Sequence, residues 1–412
     1  MTETLGILVG GGPAPGINGV IASAAMEAFN YGLRVVGIYD GYRDLAAGRT
    51  PQTVELTFDH VSRIHTSGGS ILRTSRTNPA RDEATLQRCI ESIERLGLRY
   101  LVCIGGDDTT FGAARIAART NGAIGVATVP KTIDNDLPLP DNAPTFGFET
   151  ARSVGAGILE SLMEDARTTA RWYVVVCMGR KSGALALGMC KAAGSTLAVL
   201  PEEFPENTGL SSVVDTIVGA IVKRRSVGRK HGVAVVAEGI AERLSPQAFE
   251  HLEAVPRDSF GNIALADIPL GMILRDGVRK RLEDIGVDST VHAKDIGYEL
   301  RCAKPVPFDV DYTRTLGFGA VRYLIGGGSG ALIALSGGHV SPMSLEDLLD
   351  PETGRIRTRQ VDSTTEAYRV ARDYMVRLEP PDFEGERLAN LAAQTSLDPA
   401  AFKAEFEKVA LP

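Results

Sequence analysis

The 412-residue chain has no run approaching the ~18 consecutive apolar residues that a membrane-spanning helix needs. It enters its first apolar segment by Leu5 with no basic stretch ahead of it, so neither secretion nor membrane insertion is expected. Cysteine is sparse: Cys89, Cys103, Cys177, Cys190 and Cys302 lie far apart and form no CxxC pair. That excludes a disulfide framework and points to a reduced, cytoplasmic setting. None of the six histidines has metal-ligand spacing, which excludes a zinc site. Positive charge is not in excess either. A net charge of −7 argues against a nucleic-acid surface. The one basic cluster, Lys223, Arg224, Arg225, Arg229 and Lys230, closes an apolar helix, where it balances the helix dipole and stays solvated. No internal repeat or low-complexity linker is visible.

What is present is apolar content, 44% of the chain, enough for large cores without metal or disulfide staples. The length suggests about two domains. The most informative stretch is YLVCIGGDDTTFGAARIAARTNGAIGVATVPKTIDND, residues 100–136. The apolar run Leu101 to Ile104 ends in Gly105, Gly106, Asp107, Asp108 and two threonines. An Ala-rich helix is expected to open after Thr109. A second apolar run, Ile124 to Val129, stops at Pro130 and delivers Lys131, Thr132, Asp134 and Asp136. These groups fall just past the C-terminal ends of two buried strands, where open α/β sheets bind ligands.

The chemistry of such a set is narrow. Glycines let backbone approach a phosphate, and a helix start aims unpaired N–H groups at it. Asp107 is a candidate Mg²⁺ ligand, since hard cations take carboxylate oxygen and keep substrate phosphates as other ligands. Asp134 is a candidate base for a hydroxyl proton, and Lys131 a candidate counter-charge for a leaving phosphate. Together these are the parts of a phosphoryl-transfer site. The plainer alternative makes Gly-Gly-Asp-Asp a tight turn, Asp108 a helix N-cap and Lys131 an exposed loop lysine.

Other segments repeat the pattern. A strand from Leu5 to Val9 runs into the glycine-rich turn Gly10 to Gly16 and then an apolar helix, again an anion site or a plain turn. Arg76 lies on the loop Gly68 to Pro79. Arg81 to Leu96 is an amphipathic helix burying Leu86, Ile90 and Ile93. Trp172 to Cys177 is a strand leading into Met178, Gly179 and Arg180, and Glu238 stands at the end of another strand. Gly326 to Gly330 follows a helix, whose negative end repels phosphate, so it is a helix-to-strand turn. Thr364 to Leu378 reads as a helix with Ala367, Val370, Ala371 and Tyr374 on one face. The last thirty or so residues form one or two short amphipathic helices that either cover a surface or join subunits.

GGDDT followed by PKTIDND resembles the phosphofructokinase family, and in particular its pyrophosphate-dependent branch, whose ATP-using relatives carry GGDG and PGTIDND. The resemblance runs from about Leu5 to Leu378. It implies two Rossmann-like three-layer α/β domains. Residues 1–147 with about 299–345 would form a phosphoryl-donor and Mg²⁺-binding domain. Residues 148–298 would form a sugar-phosphate domain, to which a helical segment, 346–412, returns. By this resemblance Gly11, Arg76, Gly106, Asp107, Asp108 and Thr109 serve the donor, with Asp107 on Mg²⁺. Thr132, Ile133, Asp134, Arg171, Met178, Gly179, Arg180, Glu238, Tyr298 and Arg301 serve the sugar phosphate. Asp134 is the expected general base, supported by Lys131, Asp108, Thr132 and Asp136. The implied substrates are pyrophosphate and fructose 6-phosphate. Arg171 would reach a neighbouring subunit, which implies a homodimer or homotetramer.

The match has departures. Pro13 stands where many relatives have aspartate, and Tyr298 replaces a histidine. Cys302 and Ala303 replace two glycines, and His292 occupies the place of an arginine found in many ATP enzymes. An ATP-dependent kinase, a relative acting on another sugar phosphate such as a seven-carbon ketose phosphate, and a non-catalytic sugar-phosphate sensor are the alternatives. Intact Asp107, Thr132 and Asp134 speak against the last.

Overall fold

The computed structural model describes residues 2–250 and 267–410. The chain divides into two units, Met1–Ala151 with Tyr298–Arg359, and Arg152–Gly297 with Gln360–Pro412. Residues 346–359 therefore belong with the first unit, not with the segment returning to the second. Leu348 and Ile356 bury themselves against Leu332 and Ala334 of the first sheet.

The first unit is built on a seven-stranded sheet. Its strands are β1 (Thr4–Val9), β2 (Arg34–Ile38), β3 (Thr53–Glu55), β4 (Tyr100–Gly105), β5 (Gly125–Pro130), β10 (Ala331–Ser336) and β11 (His339–Ser344), in the order β11-β10-β5-β4-β1-β2-β3. The inner pairs are parallel, and β3 and β11 close the edges antiparallel. Successive side chains point to opposite faces, so a strand covered on both sides must be apolar throughout. Leu5, Ile7 and Val9, with Val102, Ile104, Ala127 and Val129, enter one core with Ile17, Ile21, Leu316 and Ala320. Leu8, Leu101, Cys103 and Val126 enter the other, with Leu86, Ile90, Ile93 and Ile116. Helices Ile17–Asn30 and Pro307–Ile325 cover the first face, and Glu83–Arg95 and Asp107–Thr120 the second. This is the three-layer arrangement expected.

The second unit carries a smaller parallel sheet, β6 (Trp172–Cys177), β7 (Leu197–Val199), β8 (Gly232–Ala237) and β9 (Val291–Ile296), in the order β7-β8-β6-β9. Helices Ala184–Ala193, Leu210–Ser226 and Leu270–Asp284 accompany it. The C-terminal segment forms two short helices, Gly385–Ala392 and Pro399–Phe406. They pack onto this unit: Phe402 stacks on Phe406, and Arg281 bonds both Asp215 (2.8 Å) and Glu405 (2.6 Å) while lying over the Phe406 ring. The helix predicted over 364–378 is shorter, Glu366–Tyr374, and buries Tyr368 and Ala371. Val370 and Tyr374 are exposed. Residues 326–330 form the expected turn, with Gly327 N–H donating to Leu324 O and Gly328 N–H to Tyr323 O. Among the described residues no helix is long and apolar enough to cross a membrane.

Candidate active site

The centre of the first unit's sheet sets the geometry. In register, Val9 lies beside Ile104 and Ile104 beside Val129, so β1, β4 and β5 end level. Gly10 N–H donates to Ile104 O and Lys131 N–H to Gly105 O, both at 2.9 Å. The glycine turn, the Gly-Gly-Asp-Asp loop and the Lys131 loop thus emerge side by side.

The loop from Gly68 to Pro79 is fastened to the same place. Gly11 N–H donates to Ser75 O at 2.9 Å, and the Thr74 hydroxyl to Gly11 O at 2.6 Å. This puts Arg76, which is exposed, on the loop beside the glycine turn. Gly11 has φ +80°, a left-handed conformation that only glycine holds without strain, and a Cβ there would lie 3.0 Å from Lys131 Nζ.

Lys131 is not a loop lysine in solvent: it is 5% exposed, and its ammonium donates to Gly12 O at 2.6 Å. Burial, and next the neighbouring Arg301 cation, push its pKa down to about 8, against the pull of Asp134, Asp136 and Asp107. Arg301 is the near neighbour of Gly12, where a Cβ would meet the guanidinium carbon at 3.5 Å. Arg301 and Tyr298, expected on the sugar phosphate, thus fall in the first unit, and Arg301 stands over the donor-side turn. Tyr298 is exposed.

The helix after β4 begins at Asp107, earlier than expected, with Gly106 as N-cap. Asp108 is therefore not the cap; it is an exposed residue of the first turn, and its N–H donates to Asp107 Oδ1 at 2.8 Å. Thr109 is buried in the space left by two glycines, since a Cβ on Gly10 or Gly105 would come within 2.3 Å of its side chain. In the loop after β5, Asp134 and Thr132 are half-buried, while Ile133 and Asp136 are buried. Asp134 N–H donates to Thr132 Oγ1 at 3.0 Å.

Among the described residues no group of three or more His, Cys, Asp or Glu forms a metal cage. The half-buried Asp107 at a strand end, beside a glycine backbone, suits a cation that takes one carboxylate and completes its shell with phosphate oxygen and water.

In the second unit the ends of β6 and β8 make another cluster. Gly179, at φ +137°, donates its N–H to Glu238 Oε1 at 3.3 Å and accepts from Gly239 N–H at 3.1 Å. Met178 is buried and Arg180 half-buried beside them. Gly239 was not foreseen: a Cβ there would lie 2.2 Å from Arg180 O. Gly239→Ala is therefore expected to displace the Met178–Arg180 loop and to destabilise the protein by about 1–3 kcal/mol, which a denaturant melt checks. Arg171 is half-buried, with its Nε 3.9 Å from Asp165 Oδ2.

Asp309 and Arg359 also escaped sequence reading. Asp309 is buried and accepts from Gly147 N–H and Thr150 N–H, each at 2.8 Å, and from the Thr150 hydroxyl. It thereby holds the start of the helix Phe148–Thr169. Neither residue belongs to a local motif, and each acts on a loop far away in sequence.

The chain is similar to known proteins along most of its length. Residues 4–324 match the family described as Phosphofructokinase. A pyrophosphate–fructose 6-phosphate 1-phosphotransferase of Thermotoga maritima is 51% identical over 98% of both chains. One from Naegleria fowleri is 48% identical over 98% of this chain and 95% of its own. A crystal structure of a pyrophosphate-dependent phosphofructokinase from Marinobacter aquaeolei superimposes with a TM-score of 0.69 at 16% identity, covering 90% of each chain, a likeness of fold. The strand-end loops that bring Gly11, Asp107 and Lys131 together lie inside the matched span, and the chain belongs to the phosphofructokinase family.

Proposed function

We propose that the protein transfers a phosphoryl group between pyrophosphate and the 1-hydroxyl of fructose 6-phosphate, reversibly forming fructose 1,6-bisphosphate. The observation that carries this reading is the buried ammonium of Lys131 between the glycine turn and the Asp134 loop, a fixed positive charge where a departing phosphate needs one. The names borne by relatives that align along nearly the whole chain agree with it. A coupled assay crossing pyrophosphate and ATP with several ketose phosphates tests it. Activity confined to ATP, or to another sugar phosphate, would overturn the donor or the acceptor half of the reading.

In this mechanism the first unit binds the donor through Gly11, Arg76, Gly106 and the backbone around Asp108 and Thr109. Asp107 would hold a divalent cation, Mg²⁺ in our reading, which neutralises phosphate charge when bound. Asp134 takes the proton of the 1-hydroxyl, Thr132 and Asp136 orient it, and Lys131 stabilises the leaving phosphate. Met178, Gly179, Arg180 and Glu238 hold the sugar phosphate on the second unit. The buried thiols of Cys89, Cys103, Cys177 and Cys190 suit a reducing cytoplasm.

The Lys131 ammonium gives a pH dependence. Charged below about pH 8 and neutral above it, Lys131 supports donor binding only in its protonated form. The kcat/KM for pyrophosphate is expected to fall as pH rises through about 8, approaching tenfold per pH unit. In Lys131→Met that limb should be absent from the pH profile. A wild-type limb that persists in the variant would assign it to another group.

Arg171 motivates an assembly prediction. If it completes a neighbour's sugar-phosphate site, the active species is a symmetric homodimer or homotetramer. Light scattering is expected to give a mass of at least two chains; a fully active monomer would contradict this.

A further inference from the structure

We infer that Arg359 is a positioning residue for phosphoryl transfer, fixing the loop that carries Asp134 and Asp136 without touching the reacting groups. The inference rests on the reading of Asp134 as the base. All three guanidinium nitrogens are committed to this loop: Nε donates to Asn135 O at 3.0 Å, Nη1 to Ala143 O at 2.9 Å, and Nη2 to Asn135 Oδ1. The backbone N–H of Arg359 adds a bond to Asp136 O at 2.7 Å. Arg359 is half-buried and ends the first unit's chain.

The loop needs such a partner because of its own conformation. Asn135, between the two aspartates, has φ +56°, a left-handed backbone that a non-glycine residue keeps only where the surroundings over-determine it. Thr145 supplies part of that constraint, donating its N–H to Asn135 Oδ1 at 3.0 Å and its hydroxyl to Thr132 O at 2.7 Å. Arg359 supplies the rest. Its planar fork ties Asn135 and Ala143, two points of one loop, through three separate nitrogens, where an ammonium offers all its donors from one atom. Loss of the fork frees Asn135 to leave its left-handed conformation and turns Asp134 away from the acceptor hydroxyl. A displacement near 1 Å at a reacting group costs on the order of 10²-fold in rate.

The test compares full-length Arg359→Ala and Arg359→Lys with wild type, and repeats Arg359→Ala in an Asp134→Asn background. Arg359→Ala is expected to lower kcat about 10²-fold while KM for pyrophosphate and for fructose 6-phosphate each stay within about threefold. Arg359→Lys should recover only part of the loss. In the Asp134→Asn background the same substitution should lower kcat less than about threefold, because no base remains to be misplaced. An equal fold-loss in both backgrounds would make Arg359 a merely structural residue, and a kcat within about threefold of wild type would remove the role altogether. Should Arg359→Ala fail to fold, Arg359→Lys carries the same two-background comparison. If Asp134→Asn alone keeps wild-type kcat, the base assignment falls, and the kcat loss of Arg359→Ala in wild type still decides whether Arg359 positions this loop.

Discussion

Asp134→Asn is expected to lower kcat by about 10²- to 10⁴-fold while KM for both substrates changes a few-fold at most. The amide keeps the size of the side chain and removes its charge and its ability to take a proton. The fold has little at stake, since Asp134 is half-buried and its backbone N–H is held by Thr132 Oγ1. A circular-dichroism melt should therefore coincide with wild type within a few degrees, which separates loss of chemistry from loss of protein. The effect should appear in both reaction directions, because the group that accepts the hydroxyl proton going forward returns it in reverse. A variant retaining more than about a tenth of wild-type kcat would show that Asp134 is not the base.

The second large effect concerns donor choice. At the position of Asp108 the ATP-using members of the family resembled carry glycine, leaving space where a nucleotide's α-phosphate would lie. Asp108 stands on the first turn of its helix, with its carboxylate on the exposed side. Two like charges ~4 Å apart repel by about 1 kcal/mol in water and about 4 kcal/mol at an effective dielectric of ~20. At an exposed site the lower half of that range applies, so exclusion of ATP by roughly five- to a hundredfold is expected from charge alone. Asp108→Gly should raise kcat/KM for ATP by that factor and leave pyrophosphate use within an order of magnitude. It also removes an acidic residue from a helix N-terminus, at a cost of about 1 kcal/mol in stability. The companion change, Lys131→Met, preserves volume in a buried slot while deleting its charge. It should cut kcat with pyrophosphate far more than it raises the sugar-phosphate KM. ATP use unchanged in Asp108→Gly would refute this account of donor choice.

The parts of the site that were legible in the sequence are those written in consecutive residues. An apolar run, glycines and a helix start predict a strand-end anion loop, and Gly10 to Gly16, Gly105 to Asp108 and Met178 to Arg180 all lie at the ends of their strands. Alternation on β1, β4 and β5 could not show which face was which, because both faces are buried and, Thr4 and Thr128 apart, every position is apolar or glycine. Burial of Lys131 was not legible, since nothing local distinguishes a lysine sealed under Gly11 and Gly12 from one in solvent. Strand β9, VHAKDI, has exposed Lys294 and Asp295 and half-buried His292, and gives no apolar run. Asp309, Arg359 and Gly239 act on backbone 59 to 224 residues away, or through the space a missing Cβ leaves, and no window of sequence contains both partners. The helix Glu366–Tyr374 turns Tyr368 inward and leaves Val370 and Tyr374 exposed, because the Tyr368 hydroxyl donates to Glu203 at 2.7 Å.

The pairing of β10 with β5 has a consequence for how the protein is made. Val126 N–H donates to the hydroxyl of Ser329, 203 residues later, and β10 is laid beside β5 only after the whole of β6 to β9 has been synthesised. At ~5–20 residues per second, the interval is about 10 to 40 s. During that time β5 is an open edge, and the apolar face of the helix Ile17–Asn30 awaits Leu316 and Ala320. The four-stranded sheet, contained between residues 172 and 296, is therefore complete before the seven-stranded sheet that precedes it on the chain. A nascent chain stalled before residue 331 would present that unpaired edge to its neighbours on the polysome, and this is the window in which aggregation competes with folding.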